Sequence, residues 1–249
     1  MKRGPKPQGK VVTNWSADFA YAIGLLVADG CLSKDGRHID LTSKDKVQIM
    51  LFQKCLKITS KISSKYSGAG NRAYCCQFSD VLFYRFLLSI GLSPAKSKTI
   101  SAVFVPDEYF IDFLRGYFDG DGSSVSHYDS IFKKSYRFYL SFTSASPVFV
   151  DWLRKMLRDA LEVKGHIAYN RNNPYVQLKY SKKEAVIISK RMYYAETVPC
   201  LKRKRLKIMR SLRIIDKCRG GAIGTRAAFR TQFPQGIGSS SLPRGTNRI

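Results

Sequence analysis

Two stretches of this chain, 92 positions apart, carry one short pattern and end on the same dipeptide. The first is Ala22-Ile23-Gly24-Leu25-Leu26-Val27-Ala28-Asp29-Gly30, and the second is Leu114-Arg115-Gly116-Tyr117-Phe118-Asp119-Gly120-Asp121-Gly122. A repeat at that spacing predicts two copies of one small folding unit. Small residues recur every fourth position, at Ala20, Gly24 and Ala28 and again at Gly116 and Gly120. Read as helices, both stretches therefore carry a bare stripe along one face, where a partner backbone can approach closely. Two such helices packed together would set Asp29 and Asp121 side by side at their C-terminal ends. An acid at that end opposes the helix dipole, which favours cations there. The same unfavourable placement made twice points to a bound cation and to metal-dependent chemistry on a symmetric substrate.

The charge balance narrows the substrate. Forty-three Lys and Arg stand against 18 Asp and Glu, a formal net charge of +25 in 249 residues. Such a field attracts polyanions through phosphate contacts and counterion release. Nucleic acid is the first expectation. A membrane surface fits less well, because the basic residues are spread along the chain instead of along one amphipathic helix. The longest apolar run, Ala20 to Ala28, is too short to span a bilayer. Cys31, Cys55, Cys75, Cys76, Cys200 and Cys218 form no zinc-type spacing and read as free thiols in a reducing compartment. With no secretory pattern near Met1, the expectation is a soluble intracellular protein of a bacterial or phage-infected cytoplasm or an organelle matrix.

Turn and capping signals divide the chain. Residues 1–14 read as a basic arm. Ser16 is placed to cap the first motif helix, with Asp18 in its first turn. Residues 31–43 read as a strand pair, and a helix follows from about Asp45 with Val47, Leu51, Cys55 and Ile58 on one stripe. Residues 61–78 form a second hairpin turning at Gly68-Ala69-Gly70-Asn71, and a helix from Asp80 to Ile90 stops at Gly91. The same order returns after Asp121: a hairpin over about 123–143, a helix capped by Ser146 with Pro147 at its first position, a hairpin over 164–179 turning near Asn172-Asn173-Pro174, and a helix opened by the capping box Ser181-Lys182-Lys183-Glu184. Each half reads αββαββα. The expected division is 1–14, 15–105, 106–216 and a basic Gly/Ser-rich tail, 217–249, without periodicity. Between 201 and 249, thirteen Lys or Arg face the single acid Asp216.

Both nonapeptides resemble the signature of the LAGLIDADG homing endonucleases, in the two-motif, monomeric form, over about residues 15–215. The resemblance implies an α+β fold of two pseudo-two-fold-related αββαββα halves, whose two antiparallel sheets form a DNA-binding saddle. It implies a metal-dependent endonuclease that makes one cut per strand in a long, partly asymmetric duplex site and leaves short 3′ overhangs, as in intron homing. By the same resemblance Asp29 and Asp121 are catalytic metal ligands, assisted by the carbonyls of Ala28 and Gly120. The penultimate motif position holds the metal, so Val27 opposite Asp119 at position six does not argue against activity. Mg²⁺ suits such a site, with Mn²⁺ or Ca²⁺ as substitutes for binding. A lysine belongs near each centre: Lys98 in the first half and Lys204 in the second, with Lys96 and Lys202 as competitors. Ser43 and Ser144, in matching places, would hold the water network.

The hairpins are the expected reading surface, since a two-stranded ribbon fits the major groove and presents alternate residues to it. Candidates are Ser33, Lys34, Arg37, His38 and Asp40, then Lys65, Tyr66, Arg72, Tyr74 and Gln77. The second half adds Ser124, Ser126, Tyr128, Lys133, Tyr136, Arg137 and Tyr139, then Tyr169, Arg171, Asn173, Tyr175, Gln177 and Lys179. About half of these should touch backbone phosphate or nothing, as most protein–DNA hydrogen bonds go to the backbone. The alternative is a non-cutting binder on the same fold, an intron RNA maturase or a transcriptional regulator, with RNA as partner in the first case. His38, His127 and His166 are scattered, and the chain has neither a phosphate-binding GxxxxGK[ST] loop nor a GxSxG elbow.

Overall fold

The computed structural model describes residues 9–66, 70, 72–169 and 174–230, with side chains as far as Cys218. The first half runs α1 (Ala17–Asp29), β1 (Gly30–Leu32), β2 (His38–Ser43), α2 (Lys46–Leu56), β3 (Ile62–Tyr66), β4 (Arg72–Ser79) and α3 (Val81–Ser89). The second runs α4 (Phe110–Asp121), β5 (Gly122–Tyr128), β6 (Tyr136–Ser144), α5 (Pro147–Leu161), β7 (His166–Tyr169), β8 (Val176–Tyr180) and α6 (Lys182–Met192), followed by α7 (Lys202–Arg230). The two halves share the predicted order. Their strands form two four-stranded antiparallel sheets with matching connections, β1-β2-β4-β3 and β5-β6-β8-β7. This is the expected α+β architecture.

Local chemistry explains the helix starts. Ser16 Oγ accepts from Phe19 N at 3.2 Å, Asp45 caps α2 through Val47 N, and Ser146 Oγ accepts from Phe149 N with Pro147 behind it. Asp80 both caps α3 and takes the backbone N–H groups of Lys10 and Val11, which fastens the described end of the N-terminal arm. The capping box at Ser181 does not form. Ser181 makes no side-chain cap bond, and Glu184 Oε1 instead accepts from Lys164 N at 2.7 Å and Gly165 N at 3.3 Å. The turn entering β7, where Gly165 takes a positive φ, offers two unpaired donors and competes successfully for the carboxylate.

Each half closes its own aromatic core beneath the sheet. Phe19, Phe52, Phe78 and Phe83 fill the first; Phe113, Tyr117, Phe142, Phe149 and Tyr180 fill the second. The hairpin turns expected at 68–71 and near 172–174 lie largely outside the described residues. One compact unit extends to Ser211, and the remainder of α7 is a second unit. The α7 backbone stays helical through Arg230, past residue 217 where the sequence predicts the tail to begin, and residues 231–249 lie outside the described residues. Among the described residues no helix is long and apolar enough to cross a membrane.

Candidate active site

The largest helix–helix contact is between the two motif helices, α1 and α4. Their backbones touch where the small residues fall. A Cβ at Gly24 would lie 2.1 Å from the Phe113 carbonyl oxygen and 2.6 Å from Tyr117 N; one at Gly116 would lie 2.0 Å from the Tyr21 carbonyl oxygen. No side chain fits there. Farther along, a Cβ at Gly120 would meet the Ala28 methyl at 2.3 Å and Asp29 Oδ2 at 3.1 Å, so the Asp29 carboxylate lies over the Gly120 backbone, one residue before Asp121. Both helices end on these acids, and the chain then leaves in extended conformation at Gly30 and Gly122, with φ of −82° and −87°. The glycines are therefore not left-handed caps.

The acids shape each other's chemistry. Burial, and after it the Asp29 charge, raises the Asp121 pKa from the ordinary carboxylate value to about 6, although water still reaches the residue. Asp29 is also raised by burial, but a hydrogen bond from Gln48 Nε2 to Oδ2 at 2.8 Å and the charges of Lys204 and Lys96 work against that rise. Two carboxylates crowded until one resists ionising form a site that a cation would relieve. Among the described residues no cluster of three or more His, Cys, Asp or Glu exists. A pair of carboxylates with room for water is what a hard divalent ion of the Mg²⁺ kind takes, so the donor set fits.

Two lysines, Lys96 buried and Lys204 half-buried, stand at the helix ends in matching positions. Lys96 donates to the carbonyl of Gly30, the residue capping α1. Lys204, in the first turn of α7, donates to the carbonyls of Phe118 (2.7 Å), Gly120 (3.2 Å) and Gly122 (2.7 Å), the last capping α4. Both are desolvated, which lowers their pKa values, that of Lys204 to about 8. Lys98, the lysine favoured by sequence, is exposed and makes no such contact; the structure brings Lys96 to the acid pair in its place. Lys202 is likewise exposed. The Gly120 carbonyl, expected to assist a metal, is already hydrogen-bonded by Lys204. Ser43 Oγ donates to Gln48 Oε1 at 2.9 Å, while Ser144 Oγ accepts from Ser146 N. Gln48 is a residue the sequence reading missed, since no sequence pattern marks it.

Asp119 and Arg115, at motif positions six and two, do structural work instead. Asp119 Oδ2 accepts from Tyr21 Oη at 2.8 Å and from Leu201 N at 2.7 Å, joining α1, α4 and the approach to α7. Arg115 is fully buried, bonded to Asp112 and to the carbonyls of Met192 and Pro199. Val27 holds the position of Asp119 in the first half and is simply buried.

Strand register sorts the hairpin candidates by face. Cys31, Asp40 and Gln77 form one cross-strand row opposite the buried Leu32, Ile39 and Phe78; His38 and Lys65 share that open face. In the second sheet the open rows are Val125 with Tyr139, His127 with Arg137, Ser123 with Ser141, Lys179 and His166, and Thr143 with Gln177; Tyr175 shares the alternation of Gln177. Tyr66, Arg72 and Tyr74, and Ser124, Ser126, Tyr128, Tyr136 and Tyr169, alternate with the other face, although Tyr66, Arg72, Tyr128 and Tyr169 remain exposed there. Ser124 and Tyr136 are buried, Tyr136 Oη donating to Ser211 Oγ and the Ser124 carbonyl accepting from Lys207. Ser33, Lys34, Arg37 and Lys133 lie in or beside turns, where Asp35 accepts from the backbone N–H of Arg37 and His38. Arg171 and Asn173 lie outside the described residues. Sequence reading missed Cys31, Thr42, Ser123, His127, Ser141, Thr143 and His166 on the open faces, because its candidates were taken from both alternations of each hairpin.

Comparison with known proteins agrees with this architecture. Residues 108–193 match the model of the LAGLIDADG-like domain. A 131-residue segment, 49% of this chain, is 29% identical to DNA-directed RNA polymerase subunit Rpo1C of Methanocaldococcus jannaschii and spans 15% of that protein. Among solved structures, full-length DUF199/WhiA from Thermatoga maritima superposes with a TM-score of 0.54 at 18% identity, over 88% of this chain and 70% of that one. The I-LtrWI LAGLIDADG homing endonuclease bound to target DNA gives 0.55 at 13% identity, over 82% and 91%. The homing endonuclease I-WcaI bound to its DNA recognition sequence gives 0.55 at 16%, over 82% and 95%. Residues 108–193 are thus similar to a LAGLIDADG-like domain, and the first half repeats their motif and their order of elements.

Proposed function

We propose that this protein is a site-specific double-stranded DNA endonuclease acting as a monomer. The observation that carries the reading is the pair Asp29 and Asp121, held at the ends of two helices in backbone contact, each end bonded by a lysine. The two carboxylates would hold divalent metal, Mg²⁺ by preference; when bound it neutralises phosphate charge and acidifies a water. Lys96 and Lys204 fix the helix ends and add positive charge where the phosphate charge builds up. Arg137, Tyr139, Gln177 and Lys179 on one sheet, and Asp40, Lys65 and Gln77 on the other, face the duplex grooves. One acid for each strand implies a staggered cut with short 3′ overhangs. The likeness to I-LtrWI and I-WcaI, both bound to DNA, supports a DNA partner.

A second reading has its own support. Lys204 already neutralises three carbonyls at the end of α4, so that helix end is satisfied in part without metal, and a protein that binds without cutting could keep the same fold. Such a binder would be an intron RNA maturase or a transcriptional regulator. Incubating the protein with a randomised duplex library and Mg²⁺, then sequencing the cut ends, separates the two. Endonuclease activity predicts one enriched site with staggered ends, absent for the Asp29→Asn, Asp121→Asn double variant. Enrichment of bound but uncut DNA, unchanged by EDTA, would sink the first reading in favour of the second.

A further inference from the structure

The first hairpin of each half ends in a turn gathered by an aspartate, and the two turns carry different side chains. Between β1 and β2 the tip reads Ser33-Lys34-Asp35-Gly36-Arg37, with no apolar side chain. Between β5 and β6 it reads Asp129-Ser130-Ile131-Phe132-Lys133-Lys134-Ser135. Ile131 is 79% exposed and Phe132 66%, an adjacent apolar pair set in water at the end of the ribbon. The turn that presents them is tightly bonded. Asp129 Oδ1 accepts from the N–H groups of Ile131 and Phe132, each at 3.0 Å, and Oδ2 accepts from Arg137 Nε at 2.9 Å. Ser135 N donates to the Phe132 carbonyl at 2.7 Å, and Asp129 N to the Ser135 carbonyl at 2.8 Å. Beneath the turn, Tyr136 Oη donates to Ser211 Oγ at 3.2 Å. A backbone fixed in advance lets the pair be buried by a partner with little further ordering cost.

The ribbon indicates which partner covers the pair. Its open face carries Val125 with Tyr139 and His127 with Arg137, the rows assigned above to the duplex grooves, and the tip continues them. Exposed Lys133 and Lys134 follow the pair directly, in a chain of net charge +25. We propose that Ile131 and Phe132 form a wedge that enters the base stack of a bound duplex, parts one base step and bends the DNA there. Apolar side chains inserted in this way unstack and kink a duplex, most cheaply at a flexible pyrimidine–purine step. β5 covers seven residues from Gly122, next to Asp121, to Tyr128 below the tip, about 23 Å at the rise of a strand. At about 3.4 Å per base pair the parted step lies about seven base pairs from the acid pair. The tip between β1 and β2 has no such pair, so the distortion falls on one side of the site. It selects a deformable step that no hydrogen bond reads. The inference rests on the duplex-binding part of the proposed function and is independent of cleavage.

A duplex recovered by binding selection in EDTA, with 2-aminopurine placed at successive positions, reports unstacking through its fluorescence. The parent should brighten the probe at one step, about seven base pairs from the centre, and at no matching step on the other side. The Ile131→Ser, Phe132→Ser double variant should abolish that signal and weaken binding about tenfold or more, since the buried apolar area is gone. Its melting should match the parent, both side chains being exposed. Phe132→Leu, still apolar, should keep most of the signal. No brightening at any step of a bound duplex, or equal affinity of the parent and the double Ser variant, overturns the wedge and leaves DNA binding standing. Capture on phosphatidylserine vesicles that the double Ser variant loses, with DNA affinity unchanged, overturns it in favour of a membrane contact. Failure to bind any duplex overturns the wedge together with the DNA reading.

Discussion

The contact between α1 and α4 and the ring of side chains around the acids follow opposite rules. At the contact the halves are near copies: Gly24 meets the α4 backbone as Gly116 meets α1, and both helices end on an acid whose capping carbonyl accepts a lysine. Around the acids the copies diverge, with Gln48 against Phe149, Val27 against Asp119, and a lysine from the loop after α3 against one from α7. Close backbone contact tolerates only a hydrogen atom at certain positions, so packing holds those residues fixed. The side chains around the acids, though buried too, meet side chains and not a bare backbone, so residues of different chemistry fit there. Symmetry is thus enforced by packing and broken by chemistry.

The most severe way to break the shared part is Gly24→Leu or Gly116→Leu. Each puts a side chain where even a Cβ would stand about 2 Å from a carbonyl oxygen, and overpacking of this kind costs several kcal/mol. Loss of the cooperative melting transition is expected for both. A variant that melts with the parent would show that the helices are not in backbone contact.

Next comes the chemistry at the ends of those helices. Asp29→Asn and Asp121→Asn keep the shape but remove a charge proposed to hold metal, and on the endonuclease reading cleavage should fall at least about 100-fold in each, with DNA affinity retained. Strand-resolved cleavage assays on the selected site would show whether one variant spares one strand. Full cutting by the double variant would remove the mechanism.

Asp119 tests a difference between the halves. Asp119→Ala strands Tyr21 Oη and Leu201 N in the interior, at a cost of about 2–3 kcal/mol. Val27→Ala, at the same motif position, should cost about 1–2 kcal/mol because it removes only buried methyl groups. Equal losses on urea unfolding would mean that the Asp119 bonds contribute little.

Much of this was legible in sequence and some was not. The element order, the caps at Ser16, Asp80 and Ser146 and the acid pair follow from local rules and one repeat. Lys96 was not separable from Lys98, because their positions in a loop say nothing about which ammonium is buried. The faces of Tyr66, Tyr74 and Ser124 depended on register, which the hairpin turns set and the alternation of polar residues left open. Gln48 was hidden because its role exists only where the N-terminus of α2 reaches the end of α1.

The smallest expected effect separates the acids themselves. In the metal-free protein Asp121 titrates at about 6, above the unfolded carboxylate value of 3.8, because of burial and the neighbouring Asp29. A carboxyl raised in this way favours the folded state while protonated. Its stabilisation is complete below pH 4 and is lost as pH climbs through 6. Water reaches the group, so the loss is on the order of 1 kcal/mol, well below full linkage. Stability measured at pH 5 and pH 8 should fall by that much more in the parent than in Asp121→Asn. Asp29→Asn should also flatten the decline, by removing the neighbouring charge. Mg²⁺ at pH 8 should restore stability to the parent and not to the double Asn variant, since a cation held by the carboxylates would offset the charge left when the proton is lost. An identical pH dependence in parent and Asp121→Asn would mean that neither burial nor the Asp29 charge raises the Asp121 carboxyl.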